Sequence, residues 1–328
     1  MNELKLLQII KNNIPNNRYI GDDTAYLQDL GLVITTDTLV EDVHFRLKHT
    51  SAFDLGFKAM AVNLSDIASD GAIPAFALVS LSIPKNLNEQ FIEEFYKGMN
   101  ELCVRHNVSI IGGDITGSEK LFINITIIGK TLELEPARRN NAKVGDIVIA
   151  TGFYGNSKAG FEILENEEIY KDEFPPFILE KFKKTHRKPE PHLGFGRIIL
   201  QNSKATPAMM DTSDGLADAL FKIAQSSKVE MEIDKNLIPT DPDLKEIAAI
   251  TNSDITNWIL FGGEDYTLVA CVDEEAANKL AVKNIPIRKI GKVTATNETG
   301  LVKIISENSE LLITEEVIKN KSFNHFEK

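Results

Sequence analysis

Apolar residues follow a helical period in some stretches of this chain and a strand-like alternation in others. In the first half, apolar side chains three and four positions apart predict helices at 1–14, 54–69 and 88–106. In the second half the same spacing predicts helices near 156–166, 177–185, 192–202, 214–226 and 274–282. Short apolar or alternating runs predict strands at 26–27, 32–36, 76–83, 108–111, 121–128, 147–150, 208–210, 231–233 and 266–272. This mixture predicts an α/β or α+β fold.

Composition divides the chain into two parts and limits its partners. The stretch from 129 to 143 is polar and charged, so we predict a first domain at 1–140 and a second at 141–328. With 328 residues, 43% of them hydrophobic, the chain is long enough for two cores. The net charge of −12, without a basic face, argues against nucleic acid as a partner. The basic stretch at 181–188 is therefore predicted to be a solvated helix end.

Membrane and disulfide signals are missing from the sequence. No apolar run approaches the roughly 20 residues that span a membrane, and the N-terminal pattern is too short and too charged for a signal peptide. We therefore expect a cytoplasmic protein without a membrane partner. Cys103 and Cys271 lie far apart within apolar segments, which predicts buried free thiols and not a metal site.

Acidic residues stand beside glycines or hydroxyl residues at five places, most of them after a predicted strand. These motifs are Gly21-Asp22-Asp23, Thr35-Thr36-Asp37, Gly112-Gly113-Asp114, Asp211-Thr212-Ser213-Asp214-Gly215 and Gly262-Gly263-Glu264-Asp265. Loops that follow strands gather side chains into a pocket, and crowded carboxylates repel one another unless a divalent cation lies between them. Because Mg²⁺ also binds substrate phosphates, the motifs indicate an Mg²⁺-dependent enzyme acting on phosphate esters or nucleotides.

A structural role alone does not explain a pair of acids on one of the predicted helices. Asp66 and Asp70 share a face of the apolar helix predicted at 54–69, for which Ser51 and Asp54 are N-cap candidates. We favour a functional role for this pair, because its apolar neighbours leave little solvated surface.

His44 is flanked by acids in the sequence, and such a histidine is more often structural than catalytic.

The motif at 211–215 ends a strand and begins a helix that Ser213 or Asp214 can cap. The same helix start can also hold an anion. No Walker loop is present, because Asn124 stands where the first glycine before Gly129-Lys130-Thr131 is required. A kinase of this sequence needs metals for the charge neutralisation that a P-loop lysine provides elsewhere.

Taken in order, these motifs resemble those of the thiamine-monophosphate kinases. The resemblance rests on Gly21–Ala25, on the words DTLVEDVHF at 37–45 and KAMAVNLSD at 58–66, and on the acid-glycine motifs at 112–114, 211–215 and 262–266. It runs from about residue 20 to the C-terminus.

The resemblance implies a two-domain fold like that of aminoimidazole ribonucleotide synthetase, with the N-terminal sheet pairing across a homodimer. The first domain would then bind ATP and magnesium and form the dimer. It also implies ATP-dependent phosphorylation of thiamine monophosphate to thiamine diphosphate, by direct in-line transfer with several Mg²⁺ ions. No general base is implied, because the acceptor phosphate is already anionic at neutral pH.

The resemblance also implies roles for particular residues. The metal ligands would be Asp23, Thr35, Thr36, Asp37, Asp66, Asp114, Asp211 and Asp214. ATP would contact Gly113, Arg139 and Ser213, with Arg138 as a rival to Arg139. The thiamine substrate would contact His44, Glu264 and Phe323, the last by ring stacking.

Two alternatives remain open at this point. One is a related ATP-using synthetase that activates an amide or carbamoyl oxygen. The other is a nucleotide- or metal-binding regulator without turnover. The absence of a cysteine before Cys103 and at the C-terminus argues against selenophosphate synthetase and the hydrogenase maturation factor, respectively.

Overall fold

Two β-sheets, one in each half of the chain, organise the fold. The computed structural model describes residues 3–282, 286–307 and 309–322. The strands of the first sheet are β1 (Ala25–Leu27), β2 (Leu32–Val40), β3 (Ile73–Pro84), β4 (Ser109–Ser118) and β5 (Phe122–Lys130). Those of the second are β6 (Ile147–Thr151), β7 (Ala208–Asp211), β8 (Val229–Asp234), β9 (Leu268–Val272), β10 (Ile287–Thr296), β11 (Leu301–Ser306) and β12 (Ser309–Ile313).

Helices cover these sheets. In the first half they are α1 (Glu3–Asn13), α2 (Ala52–Ser69) and α3 (Glu89–His106). In the second half they are α4 (Asn156–Glu165), α5 (Glu167–Tyr170), α6 (Pro176–Arg187), α7 (Leu193–Asn202), α8 (Leu216–Ser227), α9 (Leu244–Ile250), α10 (Ile255–Phe261), α11 (Glu274–Val282) and α12 (Glu315–Lys321). Short 3₁₀ turns lie at Gln28–Leu30, Arg139–Asn141 and Lys235–Leu237. None of the helices described is long and apolar enough to cross a membrane.

The first sheet has the strand order β1-β2-β5-β3-β4, in which β3 and β4 run parallel and the other pairs antiparallel. Alternate residues of β2, such as Val33 and Leu39, are buried. Since side chains alternate between the faces of a strand, Thr35 and Asp37 lie on that same inner face. Neighbouring Thr36 and Thr38 lie on the outer face and are exposed. The strand register therefore decides which polar residues face the interior.

Helices α2 and α3 pack backbone to backbone through two glycines. A Cβ at Gly56 would lie 1.9 Å from the carbonyl oxygen of Phe95, and one at Gly98 would lie 1.9 Å from that of Phe53. This approach buries α2 almost completely, and Ser51 caps it by accepting a hydrogen bond from the N–H of Asp54. Of the two cap candidates in the sequence, Ser51 is therefore the cap.

The second sheet has the order β12-β11-β8-β10-β6-β9-β7, and its edge strand β7 lies against α2. Successive residues of β7 face different cores: Met209 packs into the core around α2, and Met210 packs into that of the second half. Alternation then turns Asp211 towards α2. A continuous core thus joins the two halves and fixes the position of Asp211 relative to Asp66.

Two sequence predictions about local structure were wrong. Helix α8 begins at Leu216, and Gly215 is its N-cap without any side-chain hydrogen bond, so neither Ser213 nor Asp214 caps it. The stretch at 181–188 is not simply solvated, because Lys183 and His186 on α6 are buried. The prediction of buried free thiols at Cys103 and Cys271 is confirmed.

Candidate functional site

A cleft between the two halves collects most of the acidic motifs. This acidic cleft has a volume of about 560 Å³. The first half lines it with Asp22, Asp23, Thr35, Thr36, Asp37, Thr38, Leu39, Val40, Val43, His44, Val62, Asp66 and Arg139. The second half lines it with Met210, Ser213, Asp214, Lys222, Gly262, Gly263, Glu264 and Tyr266.

Three carboxylates converge at the acidic cleft. One oxygen each of Asp23, Asp66 and Asp211 lie within 4.8 Å of one another. Burial, followed by the nearby charges of Asp37 and Asp211, raises the pKa of Asp66 well above its usual value. Burial and then the charge of Asp23 raise the pKa of Asp211 to about 7. Such crowding favours either protonation or a bound divalent cation, and oxygen donors of this kind suit Mg²⁺.

Neighbouring hydroxyl groups hold two of these carboxylates in place. The Thr35 hydroxyl donates to Asp66 Oδ2 at 2.5 Å, and the Ser65 hydroxyl donates to Asp211 Oδ2 at 2.6 Å. Because Ser65 is on α2 and Asp211 ends β7, the second bond crosses between the halves of the chain. The cluster is therefore oriented before any ligand arrives.

A guanidinium group borders the acid cluster. Arg139 contacts the carboxylates of Asp23 and Asp22, and these charges raise its pKa although burial opposes the shift. Arg138 pairs with Asp22 at 2.8 Å, but it is not among the residues that line the acidic cleft. Of the two rival arginines, Arg139 is thus the one that faces the cleft.

Lys222 adds a second cationic side chain to the lining. Its Nζ lies 3.1 Å from Asp214 Oδ2 and 2.6 Å from Asp218 Oδ2. These two carboxylates raise the pKa of Lys222 although burial alone would lower it. The lysine is therefore charged, and it neutralises part of the acid around Asp214.

A smaller cavity, the side pocket, adjoins the acidic cleft and has a volume of about 150 Å³. Its lining consists of Val43, His44, Phe45, Arg46, His49, Thr50, Ser157, Lys158, Phe161, His186, Gly262 and Glu264. Four residues line both cavities, namely Val43, His44, Gly262 and Glu264. His44 Nδ1 accepts a hydrogen bond from the N–H of Val40 at 3.0 Å, so the neutral ring carries its proton on Nε2.

Two domain families match the two halves of the chain. Residues 21–131 match the N-terminal domain of AIR synthase related proteins, and residues 143–304 match the C-terminal domain. The thiamine-monophosphate kinase of Bacillus subtilis is 38% identical over 94% of this chain and 93% of its own length. That of Aquifex aeolicus is 34% identical over 89% of this chain and 92% of its own length.

The chain belongs to the thiamine-monophosphate kinase family. The solved structure of AaThiL complexed with AMPPCP and TMP resembles it with a TM-score of 0.84 and 31% identity, covering 99% of this chain and 97% of that one. The enzyme class and the two-domain fold inferred from the sequence are confirmed.

Most of the residues that the family resemblance selected lie together in this chain. Asp23, Thr35, Asp37, Asp66 and Asp211 lie in or against the acidic cleft, as do Arg139, Ser213 and Asp214. His44 and Glu264 lie at the junction with the side pocket. Thr36 also lines the cleft, but its hydroxyl donates to the carbonyl oxygen of Ile125 at 3.1 Å.

Gly113 and Asp114 lie elsewhere, on the edge strand β4. Gly113 pairs with Val79 of β3, which pairs with Ile125 of β5, which in turn pairs with Asp37. Three strand spacings, or roughly 14 Å, therefore separate Gly113 from Asp37. Neither residue lines the acidic cleft formed by the described part of this chain. Phe323 lies outside the described residues.

Sequence reasoning missed three basic residues of the site. Lys222 lies four residues after Asp218 on α8, a spacing that predicts an ion pair and could have been found. Lys58 interrupts an apolar helix, which is a signal of a buried partner. His186 was assigned to a solvated basic stretch, and only the tertiary packing of α6 against α4 reveals its burial.

Proposed function

We propose that this enzyme transfers the terminal phosphoryl group of ATP to thiamine monophosphate, giving thiamine diphosphate and ADP. The observation that carries the proposal is the convergence of Asp23, Asp66 and Asp211 in a cleft that opens onto a second pocket. Family membership supports the same reaction, since AaThiL is described in complex with AMPPCP and TMP.

The acid cluster fits magnesium by the chemistry of its donors. We propose Asp23, Asp37, Asp66, Asp211 and Asp214 as ligands, together with the Thr35 hydroxyl and an oxygen of Thr36. Bound Mg²⁺ would neutralise the phosphate charges that otherwise keep two polyanions apart. The raised pKa values of Asp66 and Asp211 support this assignment, because burial and the neighbouring carboxylates disfavour their charged forms and a bound cation would relieve that cost.

Side chains of the protein position the two substrates for phosphoryl transfer. We propose that Arg139 and Ser213 contact ATP, and that an oxygen of the acceptor phosphate attacks the terminal phosphorus in line. One P–O bond to that oxygen forms as the bond to the leaving ADP oxygen breaks. No side chain needs to remove a proton, because the attacking oxygen is already anionic. Alignment of the substrates and charge neutralisation therefore account for the rate acceleration.

The side pocket suits the ring end of the acceptor. We propose that His44 and Glu264 contact thiamine monophosphate there, with Phe323 as a further contact. Both residues lie at the boundary between the cavities, so a molecule that fills the side pocket directs its phosphate into the acidic cleft.

We propose that the enzyme is a homodimer formed through the first sheet. The edge strand β4 is exposed along nearly its whole length, and Ile111 and Ile115 are 55% and 66% exposed. An uncovered apolar edge of this kind invites strand pairing with another chain. A partner there would also cover Gly113 and Asp114, which we propose bind ATP and metal, respectively, at that interface.

We also make proposals about the domain boundary and about the location of the protein in the cell. We place the domain boundary near residue 140, because β5 ends at Lys130 and β6 begins at Ile147. We also propose a cytoplasmic location, since two free buried thiols suit a compartment that keeps cysteines reduced.

A coupled assay of ADP release tests the proposed activity. Purified protein with ATP and Mg²⁺ should release ADP steadily only when thiamine monophosphate is added, and the product should be thiamine diphosphate. A cyclised or dehydrated product from another acceptor would indicate a synthetase instead. Nucleotide binding without any turnover would indicate a regulator.

A further inference from the structure

Lys58 is a charged residue in the middle of the buried helix α2. Its side chain is only 2% exposed, and a lysine is almost never so buried unless it is paired. Its Nζ lies 2.7 Å from Glu264 Oε1, and it also lies 3.5 Å from the carbonyl oxygen of His44. The lysine therefore contacts two of the four residues that are shared by the acidic cleft and the side pocket.

Glu264 is held from several directions. His186 Nδ1 lies 3.4 Å from its second carboxylate oxygen, and the Glu264 N–H donates to the carbonyl oxygen of Ser213 at 2.7 Å. The backbone φ of Glu264 is +57°, which a non-glycine residue adopts only where its surroundings enforce it. The next residue, Asp265, accepts hydrogen bonds from the N–H groups of Gly155 and Ser157 at the start of α4.

Lys58 and two histidines act on the charge of this glutamate. Burial raises the pKa of Glu264, but Lys58, His186 and His44 together lower it by more, so the net pKa is lowered. Burial lowers the pKa of His186 to about 3, so that ring is neutral near pH 7. Lys58 is thus the ion-pair partner of a carboxylate that still has 30% of its side chain exposed.

We propose that Lys58 is a positioning residue that keeps Glu264 ionised and directed into the side pocket, where Glu264 accepts a hydrogen bond from the nitrogen heterocycle of the acceptor substrate. This inference rests on the proposed function. It adds that recognition of the ring depends on α2, the same helix that carries Asp66. Asp66 lies eight positions after Lys58, or about 12 Å along the helix axis, so one rigid element sets the distance from ring to phosphate.

Substitution of Lys58 separates ring recognition from phosphoryl transfer. Lys58→Met keeps an unbranched side chain of similar length and removes its charge. We expect KM for thiamine monophosphate to rise by about 30-fold or more, while kcat changes by less than about 5-fold. The dissociation constant of a non-hydrolysable ATP analogue, measured by calorimetry, should stay within about twofold. Lys58→Arg should recover most of the loss, and Lys97→Met, on the surface of α3, should behave as wild type.

A double-mutant cycle then tests whether Lys58 acts through Glu264. If it does, Lys58→Met combined with Glu264→Gln should raise KM no further than the more severe single substitution. Effects that multiply, or an unchanged KM in Lys58→Met, would overturn the inference. The double variant also covers the case in which Lys58→Met does not fold, because removing both partners of a buried pair costs less than removing one.

Direct binding distinguishes this inference from the proposed function. Thiamine monophosphate is titrated by calorimetry into the nucleotide-free protein, so the measurement does not depend on turnover. Equal affinity for wild type and Lys58→Met would overturn the role of Lys58 alone. No binding to wild type, together with no ADP release, would overturn the proposed function and with it this inference.

Discussion

Asp66 lies among the carboxylates of Asp23, Asp37 and Asp211, and its substitution tests the role of the acid cluster. We expect Asp66→Asn to lower kcat by about 100-fold or more, because a proposed ligand of the Mg²⁺ that would neutralise transition-state charge is lost. Steady-state ADP release at saturating substrates measures this effect. The control is Asp29→Asn, because Asp29 is exposed and does not line the cleft, and it should leave kcat unchanged.

The same substitution has an opposite effect on the metal-free protein. Removing one of three repelling carboxylates should raise its unfolding temperature, whereas Mg²⁺ should stabilise wild type more than the variant. Thermal unfolding with EDTA and with Mg²⁺ provides both comparisons. Equal stabilisation of the two proteins by Mg²⁺ would exclude Asp66 as a ligand.

Buried histidines predict a loss of stability in mild acid. Burial lowers the pKa of His192 to about 4, against an ordinary value near 6.5 in the unfolded chain. Below pH 6.5 the unfolded chain therefore binds a proton that the folded protein does not. The stabilising effect of the neutral ring is present above pH 6.5 and is lost as the pH falls towards 4, by about 2 kcal/mol between pH 7 and pH 5.

The variant His192→Gln should lack this part of the pH dependence. We expect its free energy of unfolding to fall by about 2 kcal/mol less than that of wild type between pH 7 and pH 5. Urea unfolding at the two pH values measures the difference. Identical losses in both proteins would show that His192 does not titrate as its burial predicts.

At the scale of elements, the contact between α2 and α3 should tolerate no added side chain. A Cβ at Gly56 would lie 1.9 Å from the Phe95 carbonyl oxygen, so Gly56→Ala must push the helices apart. We expect a loss of about 3 kcal/mol in the free energy of unfolding, measured with urea. The matched control is Gly194→Ala on α7, where a Cβ meets no atom within 4 Å. That variant should be unchanged or slightly stabilised, by up to about 1 kcal/mol.

The sequence predicted helices and strands best where one residue pattern decides them. Helix α2 and strand β5 have long periodic patterns, and both were found close to their observed bounds. The start of α8 was predicted wrongly, because Asp214 pairs with Lys222 and Ser213 donates to Asp211 at 3.3 Å. These side chains therefore contact other residues of the site and do not cap the helix, as their local propensity had suggested.

The whole molecule provides a test of the proposed dimer. Ile115 on β4 is 66% exposed in the single chain, so Ile115→Glu should place a charge in the proposed interface. We expect wild type to sediment as a dimer and the variant as a monomer with reduced activity. Val104→Glu is the matched control, since Val104 is 73% exposed on α3. Dimers of equal stability in both variants would show that β4 is not the interface.

The site was predictable from sequence as far as its acids are concerned. Asp23, Asp66 and Asp211 were selected from short motifs, and the structure brings their carboxylates together. Lys58 and His186 were not selected, because a single basic residue inside a helix pattern does not reveal which distant carboxylate it meets. That partner becomes visible only when α2, α6 and the loop at 262–266 are packed together.

Helix α2 contacts both sheets, and its flanks belong to one continuous core. Because α2 packs against both sheets, it cannot shift or tilt without disrupting the packing of both halves. We therefore expect the catalytic framework to behave as a stiff template, in which nucleotide and acceptor dock without large domain closure. Turnover of such an enzyme would be limited by substrate binding and product release.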